Sequence, residues 1–212
     1  MGNKKLLGIP LCIIVGMPIL GFIFGFLGQK LGFYNQTFVS IFWIISNLLT
    51  ASAFILIGKR VKFSNIAPNI SAYVAGAIYL LYLVSHITYL SVGTYLMVEA
   101  DESLRVGVPI LCVIAVGLIF GYSNASLPVK VSVIISFIPS IFVSIISNQL
   151  QNAYENYQAT NDYEPYGQLI NTLETIGYIE SALFVIALIL TIVWLSKRPM
   201  AHSKTYQNND II

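Results

Sequence analysis

The chain has 212 residues, a formal net charge of +2, and a composition that is 57% hydrophobic and only 9% charged. A water-soluble domain carries about 25% charged residues, so this chain has too few charges to cover itself in water, and its solvent must largely be lipid. The small net charge, with no dense basic run, excludes a nucleic-acid partner.

Six stretches reach the roughly 20 apolar residues that a crossing helix needs: about 6–28, 38–57, 71–98, 106–123, 128–149 and 173–195. The first is too long for the apolar region of a secretory signal and no small-x-small site follows it, so it is expected to stay as a span. Leu6 stands where myristoylation of the Met-Gly start would need Ser or Thr. Pro10, Pro18 and the Gly21/Gly25 pair favour kinking and close helix approach. The second stretch holds a small polar patch, Ser46, Asn47 and Thr50. The third reads YLLYLVSHITYL at 79–90, and its helical spacing puts Tyr79, Tyr82, His86 and Tyr89 on one face.

The fourth stretch is the shortest, and the turn SNASLP joins it to the fifth with Pro128 at the helix start. Ser132, Ser136, Ser140 and Ser144 recur at four-residue steps along the fifth, which Pro139 interrupts, depriving the Ile135 carbonyl of its usual donor. The segment NQLQNAYENYQATNDYEPYGQLINT follows without a Lys or Arg and reads as a solvated loop. Its tyrosines and acids could also attract cations or dock a partner, although no calcium-loop pattern is present. The sixth stretch carries Glu180. Residues 1–198 therefore form one membrane domain, and the polar 199–212 reads as a disordered cytoplasmic tail.

Lys and Arg in short loops stay on the cytoplasmic side. Lys4, Lys5, Lys59, Arg60, Lys62, Lys130, Lys197, Arg198 and Lys204 fall on one side, against Lys30 and Arg105 on the other. Glu99, Asp101, Glu102, Glu155, Asp162, Glu164 and Glu174 fall opposite the basic loops. The expected fold is thus an all-α polytopic bundle of six transmembrane helices in the cell membrane, with both termini cytoplasmic. Cys12 and Cys112 then lie inside opposite membrane faces, out of disulfide reach, and read as small apolar core residues.

Spans one and four share a text: GIPLCIIVG at 8–16 against GVPILCVIAVG at 107–117, then GFIFG at 21–25 against GLIFG at 117–121. With three helices per half, a true repeat would be inverted across the membrane, a recurring transporter plan with its site near the midplane. Helix-packing text reused by apolar composition is the competing reading.

An ionisable group at membrane depth costs about 2.5–3.5 kcal/mol on insertion scales and so needs a partner or a watered setting. His86 and Glu180 are the two such groups. Either His86 is a satisfied packing residue, or it titrates beside a polar path walled by Tyr79, Tyr82 and Tyr89, with Glu180, Ser136, Ser140 and Asn47 contributing. The serines have their own plain reading as close-packing positions bonded to their own backbone. No metal-binding, phosphate-gripping or nucleophile motif is present, so no catalytic residue, cofactor or metal is expected. The leading functional expectation is small-solute permeation or a permease-subunit role near His86, with the bilayer, a small solute or proton and a membrane subunit as partners. The alternative is a non-transporting accessory, immunity or sensor protein.

Overall fold

A computed structural model describes residues 2–31, 36–92, 102–160 and 162–197. Its seven helices are α1 (Gly2–Leu31), α2 (Gln36–Arg60), α3 (Ala67–Val92), α4 (Glu102–Gly121), α5 (Leu127–Phe137), α6 (Pro139–Thr160) and α7 (Glu164–Ser196), and the described residues include no strand. Counting α5 and α6 as one rod, five helices are long and apolar enough to cross a membrane, and α4 adds a shorter apolar helix, Pro109–Gly121. Six rods match the six apolar stretches of the sequence. The expected tail at 199–212 and the end of the expected third span, 93–98, lie outside the described residues.

Proline breaks the fifth rod where its missing N–H requires. Ile138 separates α5 from α6, and the carbonyl of Ile135, denied its normal donor by Pro139, accepts from the Ile138 N–H at 3.1 Å. The segment read as a solvated loop is instead helical on both sides: α6 continues to Thr160 and α7 begins at Glu164. No Pro or Gly interrupts 148–160, so polar residues there extend the helix as readily as apolar ones. At 33 residues, α7 is about 50 Å long against about 30 Å of hydrocarbon, so one end must project. Tyr154, Tyr157, Tyr163 and Tyr166 lock this hairpin, with ring centroids 5.5–6.5 Å apart.

The rods form a closed ring in the order α1, α2, α3, α4, α5/α6, α7 and back to α1. Neighbouring helices run antiparallel. Gly8 meets Leu195 at one end of the α1–α7 pair, and Phe22 meets Tyr178 edge-on further along. Along α2–α3, Gly58 faces Tyr73, Phe54 stacks on Tyr79, and Trp43 stacks on His86. One end of the bundle therefore gathers the start of α1, the 61–66 and 122–126 turns and the end of α7, where Lys59, Arg60, Lys62, Lys130 and Lys197 lie; we call it the basic end. The acidic end carries residues 162–163 between α6 and α7 with Glu155, Asp162 and Glu164, together with Lys30.

The two turns at the basic end are held by side chains. Asn69 Nδ2 donates to the carbonyls of Gly58 (2.8 Å) and Val61 (3.0 Å), closing the last turn of α2. Lys130 Nζ donates to the Gly121 carbonyl at the end of α4 (3.1 Å). Beneath these turns sits the main core: Leu7, Leu11, Ile14 and Val15 of α1, Phe54 and Ile57 of α2, Val116, Ile119 and Phe120 of α4, Val129 and Val133 of α5, and Ala187 of α7. Gly76 brings α3 onto α2, since a Cβ there would lie 2.9 Å from Ile55 and 3.3 Å from the Ala51 carbonyl.

Candidate functional site

Beyond that core the helices part around a half-open cavity of about 410 Å³ to which every rod contributes. On α1 its walls come from the stretch between Ile14 and Phe22; on α2 from Trp43, Ser46, Asn47 and Thr50; on α3 from Tyr79 and Tyr82. Helix α4 gives Pro109 and Cys112, the broken rod gives Phe137 and Ser140, and α7 gives Gly177, Glu180, Ser181 and Phe184. These positions cluster about the middles of α1, α2, α4 and α7, most of those on α1 and α2 lying on the side away from the basic end. The cavity therefore lies at mid-depth, displaced towards the acidic end.

Local sequence explains how each helix presents this wall. The α2 positions 43, 46, 47 and 50 and the α7 positions 177, 180, 181 and 184 both follow steps of three, one and three, the spacing of a single helical face. The α7 stripe starts on Gly177, whose Cα faces open space, with no atom within 4 Å of where a Cβ would stand. The α2 stripe contributes three buried polar side chains, Ser46, Asn47 and Thr50. The break at Pro139 carries two wall residues, Phe137 before it and Ser140 after it. Phe137 also meets Phe184 edge-on at 5.1 Å, tying the broken rod to α7.

Five of the residues singled out in the sequence line this one cavity: Tyr79, Tyr82, Asn47, Ser140 and Glu180. Tyr79, Cys112 and Glu180 face this one space from α3, α4 and α7, and the Tyr79 and Tyr82 rings lie 6.4 Å apart. His86, Tyr89 and Ser136 do not line it. His86 is half-buried and lies nearly parallel to the Trp43 ring, 6.5 Å between centroids, so it is one ring removed from the wall. Tyr89 is half-buried one turn further along. Tyr79, Tyr82, His86 and Tyr89 all avoid the exposed face of α3, which is made of Tyr73, Val74, Leu81, Val84, Ile87 and Leu90.

Ser136 is fully buried and donates to the Val133 carbonyl at 2.8 Å. The other stripe serines do the same: Ser132 to Val129 (3.1 Å), Ser140 to Phe137 (2.6 Å) and Ser144 to Ser140 (2.9 Å). Their hydrogens are thus committed to their own helix, leaving lone pairs as what Ser140 offers the cavity. Cys12 and Cys112 are both free thiols, and Cys112 belongs to the wall. Trp43, Phe22, Ser181 and Gly177 were passed over in the sequence because none is ionisable. The repeated three-one-three spacing is the signal that marks Trp43, Ser181 and Gly177.

Apolar spanning helices arranged around a mid-depth chamber, mostly apolar with a few polar groups in its wall, define the class: a multi-pass helical protein suited to contact with a lipid bilayer. Within that class, no family model matches the chain, and neither a curated protein nor a solved structure matches it.

Proposed function

We propose that this is a cell-membrane protein with both termini cytoplasmic, and that its role is small-solute permeation or that of a permease subunit. The observation that carries this reading is the mid-depth cavity to which all six rods contribute, with Glu180, Asn47, Ser46 and Thr50 among its walls. Polar groups at that depth are costly unless they meet water, a solute or one another. Kinked and broken helices beside such groups are what membrane carriers use to expose backbone to a cavity. The proposed path runs through Glu180 and the α3 tyrosines, with His86 behind Trp43, and a solute or a proton is its cargo. The echo between 8–16 and 107–117 supports the same reading if spans one to three and four to six are inverted copies. No residue is assigned a catalytic role.

A second reading is favoured by one observation, the serine hydroxyls turned back on their own helix. On that reading the polar groups only hold helices together, in an accessory, immunity or sensor protein. Thiol labelling separates the two. In a chain carrying Cys12→Ser and Cys112→Ser, Ser181→Cys should react with a membrane-impermeant methanethiosulfonate applied outside sealed cells. A folded protein whose residue 181 stays unlabelled from either side is a dry bundle, and the permeation reading fails. Orientation is tested in the same background: Thr160→Cys should label from outside and Lys62→Cys from inside, and labelling of both from one side would overturn it.

A further inference from the structure

We infer that the cavity accepts a monovalent organic cation with an apolar body, an amine or a quaternary ammonium. The inference rests on the cavity being an open solute site, and it follows from the mismatch between the wall's charge and its surface. Among the described residues lining the space, Glu180 is the one charged side chain, with no Lys, Arg or His beside it. Lys30, at the same end, lies over the Phe26 ring, 5.9 Å from its centroid, and is exposed outside the wall. A carboxyl in so apolar a setting either holds its proton or, when ionised, requires a compensating positive charge, which no resident base of the wall supplies and a bound cation would.

The rest of the wall decides what kind of cation fits. Phe22, Trp43, Tyr79 and Tyr82 bring aromatic rings to the space, and aromatic faces attract cations through their quadrupoles while also accommodating apolar bodies. A bare divalent ion would need six or more oxygens around it. Among the described residues no three His, Cys, Asp or Glu side chains gather to hold a metal. An anion would meet Glu180 with no base to offset the repulsion. The 410 Å³ volume falls within the roughly 300–1,000 Å³ typical of small-molecule pockets, so it holds a compact molecule and excludes a peptide.

The experiment uses the full chain, purified in detergent, with Cys12→Ser, Cys112→Ser and Ser181→Cys, and measures alkylation of residue 181 by uncharged N-ethylmaleimide. Benzyltrimethylammonium at about ten times its dissociation constant should slow the reaction roughly tenfold. Benzyl alcohol at equal concentration should slow it far less, and benzoate not at all. Adding Glu180→Gln should remove the preference for the cation, each protected rate being compared with that variant's own unprotected rate. If that variant does not fold, Glu180→Asp should keep the preference for the cation over benzoate. Equal protection by all three compounds, or better protection by benzoate, overturns the cation assignment and leaves the open cavity standing. No reaction at residue 181 in folded protein overturns the cavity reading itself.

Discussion

The basic half and the acidic half of this bundle are built from the same six rods but solve opposite problems. At the basic end the facing residues are buried, with Ala51, Ala53, Ala72, Ala75, Gly76, Ala115 and Ala187 letting the rods close around Phe54 and Phe120. Helices in lipid gain little from apolar contact alone, because lipid tails offer the same contact, so close approach through small residues supplies the packing. At the acidic half the facing positions carry Phe22, Trp43, Tyr79 and Tyr82, whose bulk props the rods apart, interspersed with Asn47, Thr50 and Glu180. The difference teaches that the cavity is written into the helix faces. The antiparallel neighbours α2 and α3 switch from small residues to aromatic and polar ones at matching depth.

The largest effects should come from truncating the packed half. Phe54 is fully buried, and Phe54→Ala should cost about 3 kcal/mol, the lower end for such a change because lipid removes part of the transfer term. Phe22→Ala, on the cavity wall, should cost less than half as much, and thermal unfolding of both variants in one detergent checks the ratio. Similar costs would mean that the acidic half is packed as tightly as the basic half.

Glycine substitutions sharpen the same contrast. Gly76→Val must force Ile55 and the α2 backbone away, so about 2 kcal/mol should be lost to overpacking. Gly177→Ala meets nothing within 4 Å and should leave stability unchanged or raise it by up to about 1 kcal/mol through helix propensity. A loss at Gly177 comparable to that at Gly76 would contradict the open space assigned to it.

Smaller changes are expected where single polar groups act. Asn69→Ala removes the donor to the Gly58 and Val61 carbonyls at the basic end, and a loss of about 1 kcal/mol is expected. Glu180→Gln, in the cavity, should leave the unfolding midpoint within about 2 °C of the parent, since it removes no packed atom. A large destabilisation there would place Glu180 in a structural polar network.

The sequence exposed the spans because lipid demands long uninterrupted apolar helices, and it exposed the Pro139 break because a missing N–H has a fixed consequence. It did not reveal the helical hairpin after Ser147, since polarity marks where lipid ends but not where a helix ends. The candidate site was legible only in part. Asking which residues are ionisable found Glu180 and, through the tyrosines near His86, two residues of the wall. It set His86 beside the path by its spacing from the tyrosines and Ser136 by its place in the serine stripe, and spacing along one helix does not say which neighbour on another a side chain meets. His86 meets Trp43, and Ser136 meets its own helix. Cys112 is buried in the core, as its reading as a small apolar residue expected, and it also borders the cavity.

One comparison tests the two-half account most directly. Ser136 and Ser140 lie one turn apart on the broken rod, both bonded to their own backbone, yet Ser136 is fully buried and Ser140 lines the cavity. In the background lacking Cys12 and Cys112, each serine can be replaced by cysteine with little change of shape, and labelling by a small water-soluble thiol reagent can be followed in folded protein. The account predicts that Ser140→Cys reacts readily while Ser136→Cys reacts only after unfolding. Equal rates at the two positions, whether both open or both closed, would contradict it.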